Sequence, residues 1–285
     1  MEAPLAQLQA FAQGIAYAAV VFLWLWIARF VAGLRTRRVF DARREIEDNQ
    51  NLAIALRRGG LYVGLATGML GALAGGETAF LSDLQTLLLE GAVITLFLFL
   101  AQLVADAALV HGVSNDEAVR EGNVAVGLVE AGSFVATGLI AYGAFSGEGG
   151  GLASALVFFV LGQVALLALA VVYEWLTSYG VVENIRSGNT AAGLMLGGTL
   201  VAFGFILNAS LRGAFLSWQE DLIAFGISAL TGLVLLMLLQ WPIDRLFLPG
   251  TTIKHEIETD RNAAAIGVAV SVKLALALVI SAVVI

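Results

Sequence analysis

Residues 183–198 read ENIRSGNTAAGLMLGG, and the same pattern stands at three other places in the chain. Here Glu183 leads to Asn189, Ala191, Leu194 and Gly198. Earlier, Glu45 leads to Asn51, Ala53, Leu56 and Gly60, and Glu117 leads to Asn123, Ala125, Leu128 and Gly132. Last, Glu256 leads to Asn262, Ala264, Gly267 and Ser271. The asparagines lie 72, 66 and 73 residues apart. Each copy opens a long apolar run and is preceded by another, so the chain reads as four copies of one two-helix unit.

Working outward, the runs place the chain in a membrane. Hydrophobic residues make up 59% of the 285 and charged residues 13%, with a mean hydropathy of +0.89. Soluble domains carry about twice that share of charge. The expected spans are 11–33, 51–74, 84–109, 123–145, 152–176, 189–211, 221–243 and 262–284, each near the length a bilayer core of about 30 Å requires. The fold class is therefore an all-α integral membrane bundle of eight helices in four parallel two-helix repeats. It divides into a first repeat pair, 1–145, and a second, 146–285. The first apolar run lacks a preceding basic residue and a small-x-small cleavage site, and reads as a span, not a secretory signal. Pro4, Pro242 and Pro249 fall at or beyond helix ends, which argues against a carrier with proline-broken central helices.

Arg35, Arg37, Arg38, Arg43, Arg44, Arg120, Arg186, Arg245, Lys254 and Arg261 follow the odd-numbered spans, whereas only Arg212 follows an even one. Positive charge in short loops marks the cytoplasmic side. Both termini then lie outside and all four motifs open at the cytoplasm, in a bacterial inner membrane. The 12–18-residue loops before the motifs are expected to extend the even helices into the cytoplasm, with 43–58 lying at the interface.

Small residues recur at helical spacing in Gly60, Gly64 and Gly68 and in Gly193 and Gly197, and such ridges let helix backbones approach. Each Asn can cap the helix it opens or bond to a neighbouring helix. Four copies around an axis would instead give a ring of Asn51, Asn123, Asn189 and Asn262 beneath a ring of Glu45, Glu117, Glu183 and Glu256. Acidic rings gather cations at a pore mouth. Seven residues after the Asn, copies one and two carry Arg58 and Glu130, while copies three and four carry Leu196 and Ala269. Lys273, eleven after its Asn, falls near the middle of the last helix, where a charge needs a partner. The expected partner is Glu130, with Arg57 or Arg58 competing for it.

Cysteine is absent, which excludes disulfides and thiolate chemistry. His111 and His255 fall in expected loops and cannot form a metal site alone. No triad, phosphate loop or metal cluster stands out, so no enzyme activity, metal or cofactor is expected. Two functions remain. One is an ion channel or transporter, for cations in the first place, in which the Glu carboxylates attract the ion and the Asn side chains coordinate it or gate its path. The other is a non-transporting membrane scaffold or stress-response partner recruiting anionic lipid or a cytoplasmic protein through Arg35–Arg44.

The tracts Ser187-Gly188-Asn189-Thr190-Ala191-Ala192-Gly193-Leu194 and Glu121-Gly122-Asn123-Val124-Ala125-Val126-Gly127-Leu128 resemble a bacterial membrane family catalogued as domain of unknown function 350. The resemblance implies the two-helix unit with Gly-Asn-x-Ala opening its second helix, and a chain built as two fused two-unit members. Copy one departs from it with Gln50 for the Gly. Copy four departs with Arg261, Gly267 and Ser271.

Overall fold

The computed structural model describes residues 2–74, 79–109, 114–147 and 149–283; His111 lies outside them. The described chain is all helix. It runs α1 (Glu2–Thr36), α2 (Ala42–Glu47), α3 (Leu52–Ala74), α4 (Phe80–Ala108), α5 (Asn115–Arg120), α6 (Val124–Phe145) and α7 (Gly151–Leu176). It continues α8 (Val181–Arg186), α9 (Thr190–Leu211), α10 (Trp218–Leu238), α11 (Gln240–Phe247), α12 (Ile253–Glu258) and α13 (Ala263–Val283). Seven spans, formed by α1, α4, α6, α7, α9, α10 with α11, and α13, are long and apolar enough to cross a membrane. The fold is a multi-pass membrane bundle. The expected span 51–74 coincides with α3, whose 23 residues include Arg57 and Arg58 near its start; these lower its hydropathy.

Four of the long helices, α3, α6, α9 and α13, open with the motif. They pack in sequence, α3 on α6, α6 on α9 and α9 on α13. The contacts advance together along each pair. Gly60 meets Ala131 and Gly71 meets Tyr142 in the first seam, Gly193 meets Ala125 and Gly204 meets Ala136 in the second, and Gly198 meets Val270 in the third. Partners that rise in step are parallel helices. Two of the remaining long helices bridge the row, α4 against α3 and α6 and α7 against α6 and α9, while α10 lies against α9 and α1 against α3 and α4.

The row has two ends. A side chain built on Gly59, on the outer face of α3, would meet nothing within 4 Å. On α13, Ala264, Ser271 and Ala275 are exposed. The motif helices therefore stand as an open row, where an arrangement around a common axis was expected. Burial follows position in the row. The described faces of α6 and α9 are mostly buried, whereas α1 and α10 expose Phe22, Trp26, Phe30, Ile223, Ile227 and Leu230, as lipid-facing helices do.

The segments before the motifs are separate six-residue helices, not extensions of the long ones. Asp41, Ser114 and Thr252 cap α2, α5 and α12 by accepting from backbone N–H groups of Arg43, Glu117 and His255. A left-handed residue then turns the chain: Gln50 (φ 52°), Gly122 (φ 85°), Gly188 (φ 76°) and Arg261 (φ 49°). That conformation cannot continue a right-handed helix. His255 lies within α12, not in a loop. Pro242 lies inside α11, just after a one-residue break at Leu239. Its missing N–H and its ring, which crowds the carbonyl four residues back, account for the break.

Candidate functional site

The motif asparagines each serve two helices. The side-chain oxygen of Asn123 accepts from Val126 N–H at 3.1 Å, capping α6. Its amide nitrogen donates to the carbonyls of Ile185 and Arg186 at the end of α8, at 3.0 and 3.2 Å. Asn51 caps α3 through Ile54 N–H and donates to Val119 and Arg120 at the end of α5. Asn189 caps α9 and donates to Ile257 of α12 at 2.7 Å. The spared carbonyls are those a helix C-terminus leaves without internal partners. Each Asn thus clasps its own repeat to the next. Asn262 caps α13 through Ala264 and Ala265 N–H; it is exposed, and its amide nitrogen meets no acceptor among the described residues.

Glu45, Glu117, Glu183 and Glu256 sit in the first turns of α2, α5, α8 and α12, where a carboxylate opposes the positive end of the helix dipole. Glu117 and Glu183 are exposed, Glu45 is half-buried and Glu256 is buried. Set along a row, the four carboxylates do not encircle a pore mouth.

The buried charges lie in two separate seams. Glu130 faces Arg57, with 3.1 Å between Oε2 and Nε and both side chains at least nine-tenths buried. Arg57 also reaches Asp116 at 2.6 Å. Arg35 joins Asp106 and Asp116, and Asn115 donates to Asp106. Glu130 and Asp106 line a cavity of about 10 Å³ with Gln102, Ser133 and Thr137; the Arg57 contact is an ion pair without hydrogen-bond alignment, and neither Glu130 oxygen has an aligned donor among the described residues. Lys273 lies in the α9–α13 seam instead. It is fully buried, donates to Thr199 Oγ1 at 2.9 Å, and stands 5.5 Å from the centre of the Tyr173 ring. The expected Lys273–Glu130 pair is not formed, because the row places its members in different seams. Arg57, the competing partner, holds Glu130. Tyr173 bonds in turn to Tyr179, whose burial between helices pushes its phenol well above the usual range, so the hydroxyl stays a neutral partner.

Arg58 points the other way, into a cleft of about 500 Å³ between α1 and the α2–α3 corner. Arg29, Arg37 and Arg43 line the same cleft, with Trp26, Phe30 and Tyr62. Its acids are Asp41, engaged as the α2 cap, and Glu47, which bridges Arg43 at 2.9 Å. Arg58 is 7% exposed, donates weakly to the Arg29 carbonyl at 3.4 Å, and forms no salt bridge among the described residues. Of the basic loop 35–44, Arg35 is committed to Asp106, while Arg37, Arg38 and Arg44 are exposed. Arg29 and Asp106 lie toward the ends of α1 and α4. Nothing in their local sequence marks that one lines the cleft and the other joins the ionic cluster.

The family profile described as Domain of Unknown Function (DUF350) matches residues 6–145 and again 148–284. The chain belongs to the DUF350 family. A curated relative, "UPF0719 transmembrane protein" of Aquifex aeolicus (strain VF5), is 22% identical over 200 residues, covering 69% of this chain and 72% of the relative. No solved structure matches. In DUF350 terms, the α6–α9 seam joins one family unit to the other. It uses the same clasp as the seams within each unit, through Asn123 to Ile185, and it is fastened again at the far end, where Asn208 donates to the Leu139 carbonyl at 2.7 Å.

Proposed function

We propose that this DUF350 protein is a non-conducting, non-enzymatic membrane scaffold of the bacterial inner membrane that captures a phosphate-bearing anionic lipid at its motif end. The reading takes α3 as an eighth span and the chain as four two-helix repeats in two pairs, 1–145 and 146–285. The motif ends face the cytoplasm and both termini lie outside, following the arginine distribution. One observation carries the reading: Arg58, buried without an acidic partner among the described residues, opens into a cleft lined by three more arginines. An unpaired guanidinium taken out of water is costly, and a phosphate that accepts from it removes that cost with short, charge-assisted bonds. The cleft lies at the cytoplasmic leaflet on this reading, where anionic headgroups concentrate. Trp26, Phe30 and Phe40 give the acyl region an apolar wall.

The seams support the absence of a conduit. Cβ atoms added at Gly127, Gly143 and Gly193 would stand 2.5–2.6 Å from the carbonyl oxygens of Ala53, Asn208 and Ala125, which leaves no space for water at these points of the first two seams. The test is native mass spectrometry of protein extracted from nanodiscs of mixed phosphatidylglycerol and phosphatidylcholine. Selective retention of phosphatidylglycerol, lost in Arg58→Met and kept in Arg44→Ala, is expected. Equal retention by all three proteins overturns the reading.

A second reading, ion transport, is favoured by the two Glu130 oxygens beside a cavity of about 10 Å³, room for one water-sized occupant. It replaces the scaffold reading if purified protein carries K⁺, Na⁺ or H⁺ across liposomes and Glu130→Gln abolishes the flux.

A further inference from the structure

Three seams join the motif helices, and the two outer faces of the row carry the two halves of a fourth. Consider first the face that each helix offers forward. Ala53 and Gly60 of α3 meet Gly127 and Ala131 of α6; Ala125 and Gly132 of α6 meet Gly193 and Gly197 of α9. The same register on α13 is Ala264 and Ser271, followed one turn later by Ala275, and all three are exposed. Small residues there receive nothing. Above them Asn262 keeps the cap on its own helix, but its amide nitrogen has no acceptor among the described residues.

The backward face of α3 is its complement. Ala131 and Gly197 stand eight residues after their asparagines and touch the preceding helix. The equivalent residue of α3 is Gly59, beside open space. Ile46 occupies in α2 the penultimate place that Val119, Ile185 and Ile257 hold in α5, α8 and α12. Those three are fully buried and their carbonyls take the Asn clasp. Ile46 is half-buried and receives no side-chain donor among the described residues. The bridging helices show the same gap. α4 and α7 each lie against two motif helices, whereas α10 lies mainly against α9 and α1 mainly against α3 among them, with Phe22, Trp26 and Phe30 exposed beside α1.

We infer that this chain associates head to tail. α13 of one copy seats against α3 and α1 of the next, all motif ends on one side of the membrane, and Asn262 donates to the Ile46 carbonyl of the next copy. The occupant is a second copy because the chain itself contains this interface three times, once as the junction between its two family units. Such a contact is heterologous, so it propagates into an open row or closes into a ring. The inference does not rest on the lipid reading. The two share an end of the molecule, however, since Ile46 and Tyr62 also line the arginine cleft.

The absence of cysteine makes the test direct. Gly59→Cys and Ser271→Cys proteins carrying different tags are mixed in pure phosphatidylcholine bilayers and oxidised. The expected product is a disulfide-linked pair containing both tags, formed only on mixing, with neither variant linking to itself. A chain carrying both substitutions gives a ladder or a single closed multimer. Asn262→Leu in the Ser271→Cys protein lowers the yield several-fold. Both cysteines replace residues in open positions, and unchanged thermal unfolding confirms that the variants are folded. Absence of the mixed product from folded protein, or self-linking of either single variant in its place, overturns the inference. The neutral bilayer keeps this outcome separate from that of the lipid experiment.

Discussion

A single carboxamide here satisfies two helix ends at once, and the row supplies an internal control for its worth. Asn123 and Asn262 both cap a long helix, but only Asn123 also donates to a neighbouring repeat. Asn262→Ala should therefore cost about 1 kcal/mol, the usual value of an N-cap. Asn123→Ala should cost roughly 1–2 kcal/mol more, since two carbonyls lose their donor. Equilibrium unfolding in mixed micelles reads the difference, and equal costs would show the clasp to be worth nothing. The buried charges make a second contrast. Arg57→Met strands Glu130 and leaves Asp116 only its longer contact with Arg35, and should destabilise by about 3–5 kcal/mol. Lys273→Met removes an amine held by Thr199 without a carboxylate and should leave thermal stability unchanged or raise it. A large loss in Lys273→Met would show that the lysine is paired after all. The repeat announced the asparagines and the Lys273 position, but not their partners. Spacing along one helix says which face a residue occupies, while the identity of the helix opposite depends on how the repeats are arranged.

At the scale of helices, the seams depend on glycines that admit no side chain. A Cβ on Gly132 or Gly138 would overlap the backbones of Gly197 or Gly64, whereas one on Gly226 of α10 would meet nothing within 4 Å. Gly132→Ala and Gly138→Ala should thus lower the melting temperature, and Gly226→Ala should leave it unchanged or raise it, because Ala favours a helix over Gly by up to about 1 kcal/mol. If all three behave alike, close backbone contact is not what holds the row. The turns before the motif explain a departure visible in the sequence. Gly122 and Gly188 adopt positive φ freely, whereas Gln50 and Arg261 hold the same conformation with side chains, at a cost of roughly 1 kcal/mol each. Gln50→Gly and Arg261→Gly should stabilise the fold accordingly, read by the same unfolding measurement. The glycine ridges and the Gly-Asn step were legible because they are local. The break between each short helix and its long one was not, since Gln50 and Arg261 carry no sign of a left-handed turn.

For the whole molecule, composition was enough to place the chain in a membrane, but parallel repeats permit a ring and a row equally. What separates them is the pair of open faces on α3 and α13, which no repeat pattern encodes. The proposed phosphate at Arg58 and the proposed helix at Gly59 both fall at the open α3 end, where the cleft and the open space lie. They lie about one residue apart on the same helix, so a lipid headgroup in the cleft should obstruct an incoming α13. Cross-linking of Gly59→Cys to Ser271→Cys should therefore be highest in phosphatidylcholine and fall as phosphatidylglycerol is added. Arg58→Met, which removes the charge that holds the phosphate, should keep the cross-link and lose its dependence on lipid. Added salt should relieve the inhibition in the parent pair, because headgroup attraction is screened, and should have little effect on the variant. A yield that rises with anionic lipid would mean that the headgroup bridges neighbouring copies instead of excluding them, and Arg58 would then belong to the interface itself.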